Sequence, residues 1–229
     1  MIRSLISAAL LSLLLVTGAN CAEFSADLFT QTVGGTDKGK IYFRNENISR
    51  TEMMGMISIM KRPLIYQLFT DTQKYVVTNL DEIKDRNPLA DTADFEEWIG
   101  KNHLKKVGSE TLQGFECDIF EGDIQFAKDH DPVHVKLWQS RELGYPIRHE
   151  GTLPEQAGTV ISYLENIQTG KQADSLFEIP ADYSKAKNMQ EALGMGGMPA
   201  LGDYDEGQMP SQEELQKMMK EMMKMMEKQ

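Results

Sequence analysis

VGSETLQGFECDIFEGD (residues 107–123), VHVKLWQSRELGYPIRHEGT (133–152) and TVISYLENIQTGKQADSLFEIPADY (159–183) alternate apolar and polar residues with a period of two. Successive side chains of a strand point to opposite sides of a sheet, so this period marks strands with one buried face. Phe115, Cys117 and Ile119 fall on one side, and Glu116 and Asp118 on the other. Val133, Val135 and Leu137 alternate with His134, Lys136 and Trp138. Ile161 and Tyr163 flank Ser162, which puts the two large residues on the expected core side. Gly144-Tyr145-Pro146 interrupts the second segment. The fold class expected from this block is mainly β, in an α+β arrangement.

The residues upstream extend the same pattern. Residues 24–33, FSADLFTQTV, predict a first strand, and Gly34, Gly35 and Gly39 frame a turn expected to hold Asp37 and Lys38. A second and third strand follow with their tip at Asn45–Asn47. Pro63 suits a strand start or an edge. Residues 64–70 and 74–80 predict a hairpin around Asp71-Thr72-Gln73. Neighbouring antiparallel strands joined by short turns make a meander. The pattern then switches: Asn87-Pro88 breaks it, and Phe95, Trp98 and Ile99 lie at i, i+3 and i+4. They predict a short helix capped by Asp91 or Thr92 and stopped at Gly100. Such a helix is marginal alone, so its apolar face must lie on the sheet.

The two ends have separate characters. Residues 1–22 read as a secretory signal peptide: Arg3 precedes an apolar run from Leu5 to Val16 that is too short to cross a bilayer. Cleavage after Ala22 starts the mature chain at Glu23 but puts Asn20 three residues before the cut, whereas cleavage after Ala19 satisfies the small-residue rule through Thr17 and Ala19. Cys21 with Asn20 before it makes a poor lipid-anchor site. The expected product is a periplasmic, soluble chain with no transmembrane segment. Loss of Arg3 moves the formal charge from −11 to −12. An acidic chain of this kind is a poor partner for nucleic acid or anionic membranes. With cleavage after Ala22, Cys117 is the one remaining cysteine; set between Glu116 and Asp118 on an apolar strand face, it reads as a small buried hydrophobe.

Residues 23–183 read as one domain, 184–210 as a short helical piece running into a flexible Gly/Met/acidic linker, and 211–229 as a helix. Ser211 and Glu214 form a capping box. Leu215, Met218, Met219, Met222, Met223, Met225 and Met226 make one wide apolar face, with Glu and Lys on the other. Of the 15 methionines, Met53, Met54, Met56 and Met60 form a second group. Three readings of the thioethers stand side by side: soft Cu(I) ligands, an adaptable surface for a ligand or protein, and plain packing.

No catalytic frame emerges. The chain has no nucleophile elbow, glycine-rich phosphate loop or zinc-protease motif. His103, His130, His134 and His149 supply imidazoles, but Pro132 keeps His130 and His134 off one helix face, and no metal spacing is completed. No enzyme activity, cofactor or metal is expected.

Three runs of this sequence, Gly108 to Cys117, Val135-Lys136-Leu137-Trp138 and Leu143 to Arg148, together with the closing Ser175-Leu176-Phe177-Glu178-Ile179-Pro180-Ala181-Asp182-Tyr183, resemble the lipoprotein-carrier superfamily of the bacterial periplasm, the LolA/LolB-like fold. The resemblance covers residues 24–183 and is closest to an uncharacterised branch. It implies an open half-barrel: a strongly curved antiparallel sheet with covering helices, whose apolar cup holds acyl chains in the carriers. The helix at Phe95 and Trp98 and the Met-rich helix are the two covers it suggests, as lid or partner-binding elements. The function expected is a non-enzymatic binding protein for a lipid, acyl chain or other apolar ligand. The alternatives are a copper-binding protein and an envelope assembly or stress factor that binds a protein partner.

Overall fold

The computed structural model describes residues 22–83, 95–125, 131–153 and 158–195. Six strands come first: β1 (Phe24–Thr32), β2 (Gly35–Asn45), β3 (Ile48–Met53), β4 (Met56–Lys61), β5 (Leu64–Phe69) and β6 (Lys74–Asn79). Two short helices follow, α1 (Leu80–Ile83) and α2 (Phe95–Lys101). A second meander comprises β7 (Lys105–Leu112), β8 (Phe115–Ile124), β9 (Val133–Ser140), β10 (Tyr145–Leu153) and β11 (Gly158–Thr169). A 3-10 turn at Asp174–Phe177, β12 (Ser184–Lys185) and α3 (Met189–Ala192) complete the described chain. All twelve strands form one open, curved sheet in the order β12-β6-β5-β4-β3-β2-β1-β11-β10-β9-β8-β7. The mainly β half-sheet with few helices is the class that the alternating segments predict.

Each alternating segment of the second block is a hairpin or a strand with a tail, and the turns sit where the backbone can reverse. Gln113 and Gly114, both at positive φ, turn β7 into β8. The break expected at Gly144-Tyr145-Pro146 falls on residues 141–144 instead, and Tyr145 and Pro146 already belong to β10. The first turn is also tighter than expected. Val33 and Gly34 make it, helped by Gly35 at φ 138°, so Asp37 and Lys38 lie inside β2. Lys38 there meets Asp27 across the pair at 3.2 Å, and a cross-strand ion pair favours strand over loop. Helix α2 runs through Gly100 to Lys101, and the chain reverses at His103, φ 56°. One face assignment is inverted. On β11 the buried residues are Ser162 and Leu164, and Ile161 and Tyr163 are half-exposed on the reverse side. Ser162 is accommodated by a hydroxyl partner, Thr30 Oγ1, at 3.1 Å. The aromatic Tyr163 instead stacks on Phe29 of the neighbouring strand, centroids 5.2 Å apart.

Register assigns every strand residue to one of two faces, because directly paired residues share a side. Helix α2 lies on one of them. Trp98 and Leu104 pack with Ile124, Val135 and Leu137, and Phe95 and Ile99 join them. Gly122, opposite Val135, leaves room for this contact: a Cβ there would come within 2.7 Å of Leu104 Cδ2. We call this side the α2 face. The closing run lies on the other. Phe177 is 2% exposed and packs on Ile59 and Leu68, both fully buried, with Tyr42, Ile57, Tyr66 and Tyr75 around it. Arg44 holds its guanidinium 4.6 Å from the Phe177 ring, and Arg50 Nη1 donates to Leu176 O at 2.9 Å. This side is the Phe177 face.

A third cluster fills the corner of the sheet. β10 pairs with β9 from Tyr145 but with β11 only from Arg148, with a bulge between Pro146 and Arg148. Into that opening pack Phe24, Phe43, Cys117, Trp138, Leu143 and Ile147. Cys117 is fully buried there, its Sγ donates to Phe115 O at 3.5 Å, and burial pushes its thiol pKa up. That is the small buried hydrophobe expected of it.

Past Tyr183 the chain stays on the sheet. Ser184 and Lys185 pair in parallel with Lys74 and Tyr75 of β6, and α3 docks beside the same strand. Asn188 caps α3 through its side chain, accepting from Glu191 N at 2.9 Å. Of the expected signal peptide, 1–22, all but Ala22 lies outside the described residues, Cys21 included, and so do His130, the expected caps Asp91 and Thr92, and the whole of 196–229.

Candidate functional site

On β1 to β6 the two faces differ in charge. Across the α2 face one row of paired residues runs Leu164, Leu28, Gly39, Met53, Met56, Phe69 and Lys74, strand by strand. The next row is Ala26, Ile41, Thr51, Ser58, Gln67 and Val76, and the third is Phe24, Phe43, Ser49, Met60, Ile65 and Thr78. The only charge in these three rows is Lys74, at the margin. The Phe177 face of the same strands carries Asp27, Lys38, Lys40, Arg44, Arg50 and Glu52, with Arg50 Nε on Glu52 Oε1 at 2.6 Å. A solvated face carries charge, and a face that meets apolar matter does not.

On β1 and β2 this face enters the corner core through Phe24, Ala26, Ile41 and Phe43, but on β3 to β6 it belongs to none of the three cores. Met53, Met56, Met60, Ile65, Phe69 and Val76 are half-buried, and none of them joins a core cluster or packs against one. Strands β4 and β5 bury their Phe177 face instead, through Ile59 and Leu68. Gly39 sits in the middle of the methionine row. A Cβ at this position would strike the backbone oxygen of Glu52 and come within 3.1 Å of Met53 Cβ, so the row has room only for glycine there. Small hydroxyls, Ser49, Thr51 and Ser58, lie between the apolar residues and leave the surface shallow.

At the far end of this face, α2 covers β8 and β9. His149 lies between them, opposite Leu137 and Ser162. His149 is exposed, and desolvation by the surrounding protein lowers its pKa.

The expected site residues divide. Phe95 and Trp98 come together with Phe120, ring centroids 6.0 and 5.9 Å from Phe95, and cover the sheet. They are placed as structural cover of β8 and β9. Leu215, Met218, Met219, Met222, Met223, Met225 and Met226 lie outside the described residues. The upstream methionines separate into Met53, Met56 and Met60 on the α2 face and Met54, 76% exposed, in the turn. Met53 faces Met56 directly, but Met60 is four positions along β4, about 13 Å away at strand rise. One metal ion therefore cannot be shared by these three thioethers.

The histidines do not converge. His103 ends α2, and His134 and His149 occupy opposite faces of adjacent strands. Both ring nitrogens of His134 are engaged by carboxylates, Nδ1 with Asp123 Oδ1 at 2.8 Å and Nε2 with Glu121 Oε1 at 3.1 Å. These bonds, Asp123 first, raise its pKa. Among the described residues no group of three or more His, Cys, Asp or Glu is arranged to hold a metal. No described helix is long and apolar enough to cross a membrane.

A cavity of about 350 Å³ opens where the β7–β8 tip, Leu112 and Gln113, meets Arg148, Tyr163 and Glu165. Its arginine is already bound by Glu150 Oε1, at 2.8 and 2.6 Å. The uncharged rows were missed by sequence reading because it took each strand alone. The signal was there in Met56, Ser58 and Met60, which share a parity free of charge.

Residues 30–147, more than half of the 229, match the family described as Domain of unknown function (DUF4412). The chain belongs to the DUF4412 family. The matched part runs from β1 to β10 and so contains the whole methionine row on β3 and β4. No curated protein matches the sequence. Among solved structures, an uncharacterized conserved protein from Thermus thermophilus is similar at 10% identity and a TM-score of 0.49, over 72% of this chain and 90% of that one. MucB in the Pseudomonas aeruginosa MucA/MucB complex is similar at 12% identity and a TM-score of 0.46, over 72% of this chain and 58% of that one. A LolA superfamily protein from Nitrosomonas europaea is similar at 11% identity and a TM-score of 0.37, over 69% and 90%.

Proposed function

We propose that this protein is a non-enzymatic binding protein of the cell envelope, exported by residues 1–22, that holds the acyl part of a lipid against the α2 face of β1 to β6. One observation carries the reading: from β3 to β5 three cross-strand rows carry no charge, and their Met53, Met56, Met60, Ile65 and Phe69 lie outside every core, on strands whose reverse side holds Arg50 and Glu52. Apolar surface leaves water at about 25 cal/mol per Å². An acyl chain laid along Leu28, Met53, Met56 and Phe69 removes such surface on both partners. Methionine suits the task because its unbranched, polarisable side chain adapts to a flexible ligand.

The test is palmitate. Native mass spectrometry of the chain, purified without detergent and titrated with palmitate, is expected to show one bound fatty acid. Phe69→Lys or Met56→Lys puts a charge in the row and lowers affinity about ten-fold or more, which is ~1.4 kcal/mol. Lys40→Ala, on the Phe177 face, leaves affinity as it was. No palmitate adduct, or binding indifferent to both lysine variants, removes the reading.

A further inference from the structure

We propose that the cavity between the β7–β8 tip and strands β1, β10 and β11 binds an organic ammonium group, through the carboxylate of Glu165 and the ring of Tyr163. It is a second site, on the opposite side of the sheet from the methionine row.

The strands set its place. Tyr163 and Glu165 alternate with the buried Ser162 and Leu164 on β11, and Gln31 of β1 pairs with Ile161, so all three lie on the Phe177 face. β10 joins β11 only from Arg148 onward, paired with Tyr163, and Glu165 has no β10 partner. The cavity of about 350 Å³ opens at that split, and Leu112 of the hairpin tip, with Ile147 and Leu164, supplies its apolar wall. An apolar wall bearing a few polar groups is the ordinary make-up of a small-molecule site.

Charge decides the class of ligand. Arg148 is neutralised by Glu150. Asp27, opposite Glu165 on β1, is taken by Lys38 at 3.2 Å and by Asn166 Nδ2 at 2.9 Å. Lys40 follows Asp27 in the same cross-strand row, two strands from Glu165 and so about 10 Å away. Among the described residues Glu165 makes neither an ion pair nor a hydrogen bond, although it is half-buried. It is the one uncompensated charge of the lining. A carboxylate part-way out of water, with no cation of its own, favours a cationic ligand.

The neighbours of Glu165 select an organic cation over a metal ion. Tyr163 stacks on Phe29 of β1, centroids 5.2 Å apart and planes 10° from parallel, while β10 and the cavity lie on its other side. The face of an aromatic ring attracts ammonium groups. Gln31 spends its Nε2 on the Tyr163 hydroxyl, at 3.4 Å, and keeps Oε1 as an acceptor. Gln113, at the tip, brings a second carboxamide. A hard metal ion needs more oxygen ligands held close than one carboxylate and two amides on separate elements provide. The carbon atoms around an ammonium nitrogen meet the apolar wall, which a bare metal ion leaves unused.

Choline is the probe. Titrated into the isotope-labelled full chain and followed by NMR, it is expected to shift the backbone signals of Tyr163 and Glu165 and the side-chain signals of Gln31 and Gln113. Neohexanol, its neutral isostere with carbon in place of the charged nitrogen, is expected to bind at least about ten-fold more weakly. Glu165→Gln lowers choline affinity about ten-fold. It leaves the melting temperature where it was, because Glu165 holds nothing in the fold. Tyr163→Leu lowers affinity about three-fold or more. Glu46→Gln makes the same change of charge in the β2–β3 turn, at the far end of β2, and leaves choline binding unchanged. Absent shifts, equal binding of neohexanol, or a loss in Glu46→Gln as large as in Glu165→Gln overturns the site. Dihexanoyl phosphatidylcholine, kept below its micelle concentration, identifies the source. Binding tighter than that of choline assigns a lipid headgroup and binding no tighter a free amine, in both cases lost with Glu165→Gln. Palmitate binding on the α2 face is unaffected by Glu165→Gln, so the two sites stand or fall separately.

Discussion

His134 and His149 stand on neighbouring strands and act on stability in opposite directions. His134 is held charged by Asp123 and Glu121, so its folded pKa lies above the ordinary 6.5. Its contribution is fully present below pH 6.5 and is lost as pH rises through the folded value. His149 is crowded by protein and its folded pKa is lowered. Its contribution is present above pH 6.5 and is lost as pH falls through the folded value. In His134→Gln the loss of melting temperature relative to wild type is therefore expected to be larger at pH 5.5 than at pH 8. The check is a pair of thermal melts at each pH. An equal loss at both would mean that the ring is not charged in the fold. His134 is half-exposed, so the difference is small, as for other exposed ion pairs.

At the scale of elements, the closing run is what seals one side of the sheet. Phe177 is buried over Ile59 and Leu68, and the run has few other anchors, Arg44 and Arg50 among them. Phe177→Ala is expected to cost about 3–5 kcal/mol, the usual loss for a buried aromatic. Urea unfolding measures it, and a loss under about 1 kcal/mol would show that the run is ornamental to the fold. This element was legible in the sequence, because Ser175 to Tyr183 is the most specific of the runs that together carry the family resemblance. Most strands were legible too, through their alternation and turn residues. The face of β11 was not. Ser162 reads as polar and outward, yet a hydroxyl partner on the adjacent strand satisfies it in the core, and no single strand records its neighbour's side chains. Helix α2 was readable from Phe95, Trp98 and Ile99, but its end was not, since His103 adopts the positive φ that glycine usually supplies.

For the whole molecule, an open sheet must manage two edges. β7 presents eight residues, all exposed but Leu112, and it is interrupted by a bulge and guarded by Lys105 and Lys106. Charge and bulges of this kind deter edge-to-edge pairing. β6 lacks that protection. It carries Tyr75, Val76 and Val77, and is covered instead by β12 and α3. Ending the chain at Tyr183 is expected to expose this edge and drive self-association, seen as an earlier elution on size exclusion with concentration. A chain ending at Met195 elutes as the full protein does. If both shortened chains stay equally monodisperse, the cover on β6 has no protective part.

The strand order has a further consequence, in time and not in space. β1 pairs with β2 on one side and with β11 on the other, and a contact across that second seam, Thr30 with Ser162, links positions 132 apart in the chain. Whatever leaves a ribosome or a translocation pore leaves it N-terminus first. The first meander is thus complete on its β2 side long before residues 158–169 emerge, and β1 waits as an open edge through most of the chain's delivery. Phe24, Ala26 and Leu28, which end in the corner core, are the residues exposed during that wait. The youngest part of the protein is the part that its oldest strand depends on.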